Sequence, residues 1–276
     1  MSERISMQER YSLDKFAQNS FYQEINGRLV KLTCLRPGQK VVDLGAGTGA
    51  VTKLLVMAVA GEEGEVIAVE PSKSALEMAR LNLQSLQGAA LRFVQGGAER
   101  LSQVVRLPVD AVLFCNAIHL VREKARAIQE VYRTLRQGGT FSFSTAFFQG
   151  AEAPGTDQFY RRWMVKALRI LKTRYGLMPV RAEKVLARQP LSVEEYTSLL
   201  EAAGFRVKNK EIVSVDMPLK GWEDISEYHL WIEGIMPGVP LEAASEALKV
   251  GVREAFAELG LESTPRNWLL VVANKA

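Results

Sequence analysis

A glycine-rich turn placed directly after an apolar segment is the feature that most limits how this chain can fold. Val41-Val42-Asp43-Leu44 has the apolar content of a buried strand, and Gly45-Ala46-Gly47-Thr48-Gly49 follows it. The residues from there to about Ala60 have the pattern of a helix. Glycines let a backbone approach a ligand closely, and a helix N-terminus offers unpaired N–H groups. This strand–turn–helix unit therefore predicts a ligand-binding cradle.

Short apolar runs alternate with helical patterns after this turn, which is typical of βαβ units and a parallel sheet. The further predicted strands are Val66–Glu70, Leu91–Val94, Asp110–Cys115, Thr140–Thr145 after a stop signal at Gly138-Gly139, Phe205–Val215 and Trp268–Ala273. The further predicted helices are one opened by a capping box at Ser74-Ala75-Leu76-Glu77, Leu191–Ala203 ended by Gly204, Trp222–Glu233 and Leu241–Leu259.

Positive charge is concentrated between Phe159 and Pro190. This segment contains nine Lys or Arg residues and one acidic residue, so its net charge is +8, whereas the net charge of the whole chain is +4. From Phe159 to Tyr175 the apolar residues recur at the spacing of one helix face. Three interpretations stay open: a solvated face, a membrane-surface segment, or a lid over a hydrophobic substrate. The lid would comprise Arg162, Trp163, Lys166 and Arg169, with one of the bases pairing with an acidic group of the substrate.

Composition limits the class and location of the protein. Its two cysteines, Cys34 and Cys115, have no metal-type spacing, and we expect no metal site. No apolar run approaches the roughly 20 residues that span a bilayer. The N-terminal residues lack the basic-then-apolar pattern of a signal peptide. These features predict a cytoplasmic location.

The ligand of the glycine turn is not decided by these residues alone. Together with Ala50, the turn also satisfies the dinucleotide pattern G-x-G-x-x-G/A. Glu70 ends the second predicted strand, 25 residues after Gly45, where it could accept both ribose hydroxyls of a nicotinamide or an adenosyl ligand.

Five motifs in order resemble those of the class I methyltransferases that use S-adenosylmethionine (SAM). They are Asp43–Gly49, Glu70-Pro71-Ser72, Gly97-Ala98-Glu99, Phe114–His119 and Leu135–Gly139. Within that family the chain is similar to small-molecule enzymes of the ubiquinone/menaquinone C-methyltransferase type. The stretch from Leu191-Ser192 to Gly204-Phe205 also resembles the family's entry into its sixth strand.

The resemblance implies a Rossmann-like α/β fold with a seven-stranded, mostly parallel sheet, helices on both faces, an antiparallel last strand and a helical lid insertion. It implies a single methyltransferase domain over residues 1–276. Its parts would be an N-terminal helical cap (1–40), the SAM-binding core (41–146), the lid insertion (147–190) and the C-terminal part of the sheet and helices (191–276).

The resemblance also implies roles for individual residues. Gly45, Gly47 and Gly49 would pass under the methionine part of SAM, and Asp43 would lie near its amino group or order the turn. Glu70 would bind the ribose. The other contacts implied are Pro71 and Ser72 flanking the adenine, the Ala98 N–H bonding to it, and the Cys115–Asn116 backbone facing the methionine amine. The family often has an aspartate where this chain has Gly97, so Glu99 or a water would take that contact.

The predicted reaction is methyl transfer to carbon, oxygen or nitrogen of a small, partly apolar, acidic or lipid-like molecule. His119 is either a general base or a packing residue, and we expect His229 to be structural. Asn116-Ala117 does not match the motif of adenine methylation, and no nucleic acid is expected. One of Tyr11, Phe16, Phe21 and Tyr22 would cover SAM. The alternatives are an NAD(P)-dependent oxidoreductase and a non-catalytic SAM-binding protein.

Overall fold

The computed structural model describes residues 10–180 and 189–276. The strands in these residues are β1 Lys40–Leu44, β2 Glu65–Glu70, β3 Ala90–Gln95, β4 Val109–Cys115, β5 Leu135–Thr145, β6 Phe205–Pro218 and β7 Ser263–Lys275. The helices are α1 Asp14–Ala17, α2 Ser20–Thr33, α3 Ala50–Ala58, α4 Lys73–Leu83, α5 Leu101–Val104, α6 Lys124–Thr134, α7 Asp157–Ile170, α8 Val193–Ala202, α9 Leu219–Ile225, α10 His229–Ile235 and α11 Leu241–Leu259. Arg181, Lys184 and Arg188 of the basic segment lie outside the described residues.

The strands form one sheet in the order β3-β2-β1-β4-β5-β7-β6. β1 pairs in parallel with β2 and with β4, and the parallel pairing continues to β3 on one side and to β5 on the other. β7 runs antiparallel to β5, with Thr145 opposite Leu269. The predicted seven-stranded, mostly parallel, Rossmann-like sheet with an antiparallel last strand is confirmed.

The strand order reverses between β1 and β4. From β1 the chain continues to β2 and β3 on one side, whereas β4 and β5 lie on the other. In an open parallel sheet such a reversal leaves a crevice beyond the carboxyl ends of the central strands, and ligands bind there. The glycine turn follows β1 and Asn116 follows β4, so both lie at this edge.

The core lies where the central strands are apolar on both faces. Val41 and Val42, the run Val66–Val69 and the run Ala111–Phe114 are all buried. This is the pattern of parallel strands that helices cover on both sides. The core continues through aromatic rings around β5. There Phe141 packs on Phe205 of β6, and Phe143 packs on Tyr196 of α8.

Cα packing divides the chain into two compact units. The sheet unit comprises Glu24–Ala151, Leu186–Val213 and Trp268–Ala276. The helical unit comprises Met1–Gln23, Glu152–Val185 and Ser214–Asn267. The predicted organisation of residues 1–276 as a single domain, with its four parts, stays a prediction.

Within the helical unit, α7 and α11 pack closely along each other. The Trp163 side chain of α7 is fully buried, and its Nε1 donates to the Leu248 carbonyl oxygen at 2.8 Å. A Cβ on Gly251 of α11 would come within 2.8 Å of the Ala167 backbone nitrogen, so only glycine permits this helix spacing. The remaining space is filled by aromatic rings, those of Phe159, Trp222, Trp231 and Phe256.

Two predicted helix boundaries were wrong. The N-cap of α4 is Ser72, whose Oγ accepts from the Ala75 N–H at 3.3 Å, and not Ser74. Ser72 has the extended backbone that an N-cap needs, with ψ of 117°, whereas Ser74 already lies inside the helix. The basic helix ends at Ile170, and Leu171–Tyr175 forms a π turn that stops at Gly176, where φ is 64°.

Two other predicted elements differ in extent. The single helix predicted over Trp222–Glu233 is two short helices, α9 and α10, separated after Ser226, whose Oγ donates to the Trp222 carbonyl oxygen at 2.7 Å. Such a bond to the preceding turn often bends a helix. β5 begins at Leu135, ahead of the predicted stop at Gly138-Gly139, and its register with β4 shifts there.

Ser192→Ala should lower the free energy of unfolding by about 1 kcal/mol, because α8 begins with a reciprocal capping box. Ser192 Oγ accepts from the Glu195 N–H at 3.1 Å, and Glu195 Oε2 accepts from the Ser192 N–H at 2.6 Å. Urea unfolding measures the change. The matched control is Ser198→Ala, at an exposed site of the same helix, where alanine's higher helix propensity should leave stability unchanged or slightly raised. Equal losses in the two variants would contradict the cap.

Candidate cofactor site

The turn between β1 and α3 adopts backbone conformations that glycine accepts most easily. Gly45 and Gly47 have φ angles of 71° and 54°. A Cβ on Gly45 would lie 3.0 Å from the Ala117 Cβ, so this part of the turn is packed against the segment after β4. A Cβ on Gly47 would have no atom within 4 Å. The turn is therefore open above Gly47, where a ligand could approach the backbone.

Neighbouring residues hold the rest of the turn in place. The Ala46 N–H donates to the Val69 carbonyl oxygen of β2 at 3.1 Å. Gly49, with φ of 95°, is the N-cap of α3. The Asn82 side-chain amide donates to the Thr48 carbonyl oxygen at 3.1 Å. The predicted turn residues are thus brought together as one loop with fixed ends.

The Glu70 carboxylate bridges the glycine turn and the turn after β2. Its Oε2 accepts from the Gly47 N–H at 2.9 Å, and its Oε1 accepts from the Ser72 N–H at 2.9 Å. Burial raises the pKa of Glu70, and the two backbone bonds act in the opposite direction. Because a carboxylate has about four acceptor positions, each oxygen retains capacity for a further donor. The residues present therefore fit a ligand with a pair of adjacent hydroxyls.

Asp43 is buried beneath this turn. Its Oδ2 accepts from the Thr52 hydroxyl of α3 at 2.6 Å, which ties β1 to the helix across the glycines. Burial raises the pKa of Asp43 to about 7; the Thr52 bond opposes this rise, and the nearby charge of Glu70 adds to it. Of the two roles predicted for Asp43, this geometry supports the ordering of the turn. Thr52 was not among the predicted site residues.

The segments predicted to surround an adenine ring follow β2 and β3, which are parallel neighbours. The Gln95 side-chain amide donates to the Pro71 carbonyl oxygen at 3.2 Å, a contact that the motifs did not indicate. After β3 comes Gly97 and then the 3-10 turn Ala98–Arg100. The Glu99 Oε2 atom lies 3.7 Å from the position that a Cβ on Gly97 would occupy. Glu99 therefore stands close to the space of the side chain that Gly97 lacks.

β4 ends in a turn whose backbone is left-handed at Asn116, with φ of 48°. The Asn116 N–H donates to the Ser144 carbonyl oxygen at 2.9 Å, and its Oδ1 accepts from the Ala146 N–H at 3.0 Å. Because a ligand's amino group donates hydrogen bonds, the backbone here would meet it through carbonyl oxygens. The Cys115 thiol is buried, and burial raises its pKa, so it stays protonated.

His119 is half-buried in the 3-10 turn Ile118–Leu120 that follows β4. Its Nδ1 lies 3.1 Å from the Thr145 Oγ1 atom at the end of β5. Its ring stacks on Phe147, with centroids 4.7 Å apart and planes inclined by 21°. The imidazole is thus held at one edge and on one face. Thr145 and Phe147 were missed by the sequence motifs, although β5 was expected to end at the same edge as β4.

Comparison with known proteins identifies the domain that carries this site. The methyltransferase-domain family matches residues 41–139. The ubiquinone/menaquinone biosynthesis C-methyltransferase UbiE of Legionella pneumophila is 32% identical over 126 residues, 44% of this chain and 49% of that protein. UbiE of Haemophilus ducreyi is 29% identical over 200 residues, 71% of this chain and 69% of that protein. The cyclopropane synthase MmaA2 of Mycobacterium tuberculosis shares the fold, with a TM-score of 0.59 and 13% identity over 98% of each chain.

Residues 41–139 thus match a methyltransferase domain, and over this part the chain is similar to class I SAM-dependent methyltransferases. SAM is the cofactor of this family. The chain spans about half the length of the first curated relative that it matches. The two alternatives left open by the sequence, a nicotinamide-dependent oxidoreductase and a non-catalytic SAM-binding protein, find no support in these comparisons.

The bases that were predicted to form a substrate lid are paired with glutamates of α11. Arg162 Nε lies 3.4 Å from Glu258 Oε1, and Lys166 Nζ lies 2.6 Å from Glu258 Oε2. Arg169 Nη2 lies 2.7 Å from Glu254 Oε2. A base that bound a substrate would have to share its donors with its glutamate or leave it. The lid role of these three residues stays a prediction.

Trp163 was predicted to form part of the lid surface, but the structure places it elsewhere. Its side chain is fully buried, and its indole N–H is used by Leu248. It therefore packs α7 onto α11 and offers no surface to a substrate. Helical spacing predicted an apolar stripe here, but spacing alone does not distinguish a stripe that packs on a neighbouring helix from one that covers a ligand.

The N-terminal aromatic residues are packed against one another. Tyr11, Phe16, Phe21 and Tyr22 are all buried. The Phe16 ring lies 5.6 Å from the Phe21 ring and 5.1 Å from the Tyr22 ring, both edge-on. That one of these rings covers SAM stays a prediction.

In the described part of the chain, no group of three or more His, Cys, Asp or Glu side chains is arranged to hold a metal ion. None of the helices in residues 10–180 and 189–276 combines the length and apolar content that crossing a membrane requires.

The stability of the wild type relative to Asp43→Asn should fall as the pH rises from about 4 to about 7. The Asp43 pKa is about 7 in the folded protein and about 3.9 in an unfolded chain. The folded state therefore binds one more proton in this window, and its stability decreases with rising pH. The asparagine variant keeps an oxygen for Thr52 but has no such proton. Urea unfolding across the range measures the difference, and parallel curves would contradict it.

Proposed function

We propose that this chain binds SAM at the glycine turn and transfers the methyl group to a small, partly apolar molecule. The observation that carries the proposal is the Glu70 bridge. The carboxylate that ends β2 holds the Gly47 N–H and retains acceptor capacity for the two hydroxyls of a ribose. Similarity to a family whose cofactor is SAM supports the same conclusion.

The other parts of SAM would meet the surrounding backbone. The methionine part would lie over the turn of Gly45, Gly47 and Gly49, which is open at Gly47. Its amino group would donate to carbonyl oxygens of Cys115–Asn116. The adenine would lie between Pro71-Ser72 and Ala98, with Glu99 near the position left by Gly97.

When bound, SAM would supply a methyl group activated on a positively charged sulfur, for transfer to the substrate's nucleophilic atom with cleavage of the sulfur–methyl bond and release of S-adenosylhomocysteine. The chain's own contribution is alignment and the exclusion of water. The half-buried pair of His119 and Phe147 presents an imidazole and an apolar ring at the edge where the turn opens. Where the nucleophile carries a proton, His119 would accept it.

The substrate would be an apolar ring or chain with a polar end, such as a quinone precursor or another lipid-like acid. The UbiE relatives, which are named for ubiquinone and menaquinone biosynthesis, support this class. The basic helix α7 would act as the lid that meets the acidic end. Contact with a membrane surface is the second role that its charge favours. The methyl transfer would take place in the cytoplasm, and its substrate would not be a nucleic acid.

Calorimetry with SAM and with S-adenosylhomocysteine should give binding in the micromolar range, because the Glu70 carboxylate keeps acceptor capacity beside the open part of the glycine turn. NAD and NADP are the matched controls, since both also carry a ribose and an adenine. We expect no heat of binding from either. Binding of NAD or NADP alone would replace this proposal with an oxidoreductase. Binding of SAM without turnover of any acceptor would favour a non-catalytic binding protein.

Glu70→Gln should weaken SAM binding roughly tenfold or more, because a bond to a charged group is worth about 1.5–3 kcal/mol. The amide also turns an NH₂ group toward one of the N–H donors that the carboxylate now accepts. Glu77→Gln is the matched control, since Glu77 is exposed on α4, where its Oε1 atom lies 3.8 Å from Lys73 Nζ. Calorimetry measures both. An unchanged affinity in Glu70→Gln would mean that the ribose is bound elsewhere.

A further inference from the structure

The Thr145 side chain is the centre of a small hydrogen-bond network beside His119. It is fully buried at the end of β5. Its Oγ1 accepts from the Phe147 N–H at 3.0 Å and lies 3.3 Å from the Phe147 carbonyl oxygen. The same oxygen lies 3.1 Å from the His119 Nδ1 atom. A hydroxyl group offers one proton and two lone pairs, so these three neighbours use its whole capacity.

The three contacts can all be hydrogen bonds in only one arrangement. The Phe147 N–H can only donate, so it occupies one lone pair of the Thr145 oxygen. The Phe147 carbonyl can only accept, so it takes the hydroxyl proton. The second lone pair then faces His119 Nδ1, which must carry a proton to complete the bond. If the hydroxyl proton went to Nδ1 instead, the contact with the Phe147 carbonyl would not be a hydrogen bond.

We propose that Thr145 is a positioning residue that holds neutral His119 with its proton on Nδ1, so that Nε2 carries the lone pair. A neutral imidazole has one basic nitrogen, and the bond made by the other nitrogen decides which it is. The stacked Phe147 ring restrains the plane of the imidazole, so the hydroxyl meets Nδ1 edge-on. Nε2 is then the atom that accepts the substrate's proton. That last step rests on the proposed function, whereas the position of the proton does not.

Tyr196 provides the rival arrangement. Its hydroxyl is fully buried near Thr145, but the approach falls short of hydrogen-bond geometry. If this hydroxyl did donate to Thr145, it would fill the second lone pair. The Thr145 proton would then turn to His119 Nδ1, and the imidazole would be protonated on Nε2. Removing the Tyr196 hydroxyl therefore distinguishes the two arrangements.

Nitrogen-15 NMR of the imidazole rings tests the proposal directly, because protonated and bare ring nitrogens have well-separated shifts. The chain has two histidines, so His229→Gln assigns the spectrum; His229 lies in α10 of the helical unit, beside Glu233. Spectra are taken near pH 8.5, well above the ordinary histidine pKa of about 6.5. We expect His119 to be protonated on Nδ1 in the wild type and in Thr145→Ser.

Thr145→Val keeps the shape of the side chain but removes the hydroxyl. We expect the tautomer ratio to move about fivefold or more toward the form protonated on Nε2, the change that a bond of ~1 kcal/mol produces. Tyr196→Phe should leave the ratio unchanged. Thermal unfolding shows whether each variant is folded. If Thr145→Val does not fold, the spectra of the wild type, Thr145→Ser and Tyr196→Phe still show which nitrogen of His119 carries the proton.

Three results would overturn the proposal: a wild-type His119 protonated on Nε2, an unchanged ratio in folded Thr145→Val, or a ratio that moves in Tyr196→Phe. SAM calorimetry on the same samples separates this test from that of the proposed function. A protein with the expected tautomer and no affinity for SAM would refute the methyl-transfer proposal and leave the Thr145 assignment intact.

Discussion

The bond from the Gly47 N–H to the Glu70 carboxylate joins the two loops from which the cofactor site is built. One loop follows β1 and the other follows β2, and parallel neighbours share no local hairpin that could align them. The carboxylate fixes their spacing through backbone groups, independently of neighbouring side chains. Burial raises the pKa of Asp43 to about 7, and the nearby charge of Glu70 adds to this rise. The charge of Glu70 therefore also affects the protonation of Asp43.

Charge counted along the sequence does not show which bases are already paired in the fold. The excess of bases after Phe159 left open a solvated face, a membrane-surface segment and a substrate lid. Within the helical unit, however, Arg169 is bonded to Glu254, which is 85 positions away, and Lys166 lies between Glu254 and Glu258. Exposed pairs of this kind contribute little individually, but they remove much of the local field. A basic stretch can thus be one half of a helix–helix contact whose acidic half is distant in sequence.

The parallel sheet and the glycine turn could be predicted because their signals are local. Apolar runs such as Val66–Val69 and the glycines after Leu44 determine their own structure within a few residues. The partners of the site could not be predicted in the same way. Thr52, Gln95 and Thr145 act through side-chain contacts that exist only once strand register and helix rotation are set. The failure at Ser74 was of a different kind, since two serines competed for one cap and only the backbone angle of Ser72 decided between them.

The position of β7 has a consequence for the order in which the sheet can assemble. β7 lies between β5 and β6, although it is made after both, and its pairs with β5 join residues more than a hundred positions apart, such as Thr140 and Asn274. Until residues 263–275 leave the ribosome, β5 has an open edge and β6 has no neighbour. Closing such long loops is slow, and an unpaired strand edge invites association with other chains. A nearly complete sheet therefore keeps unpaired strand edges until residues 263–275 are in place.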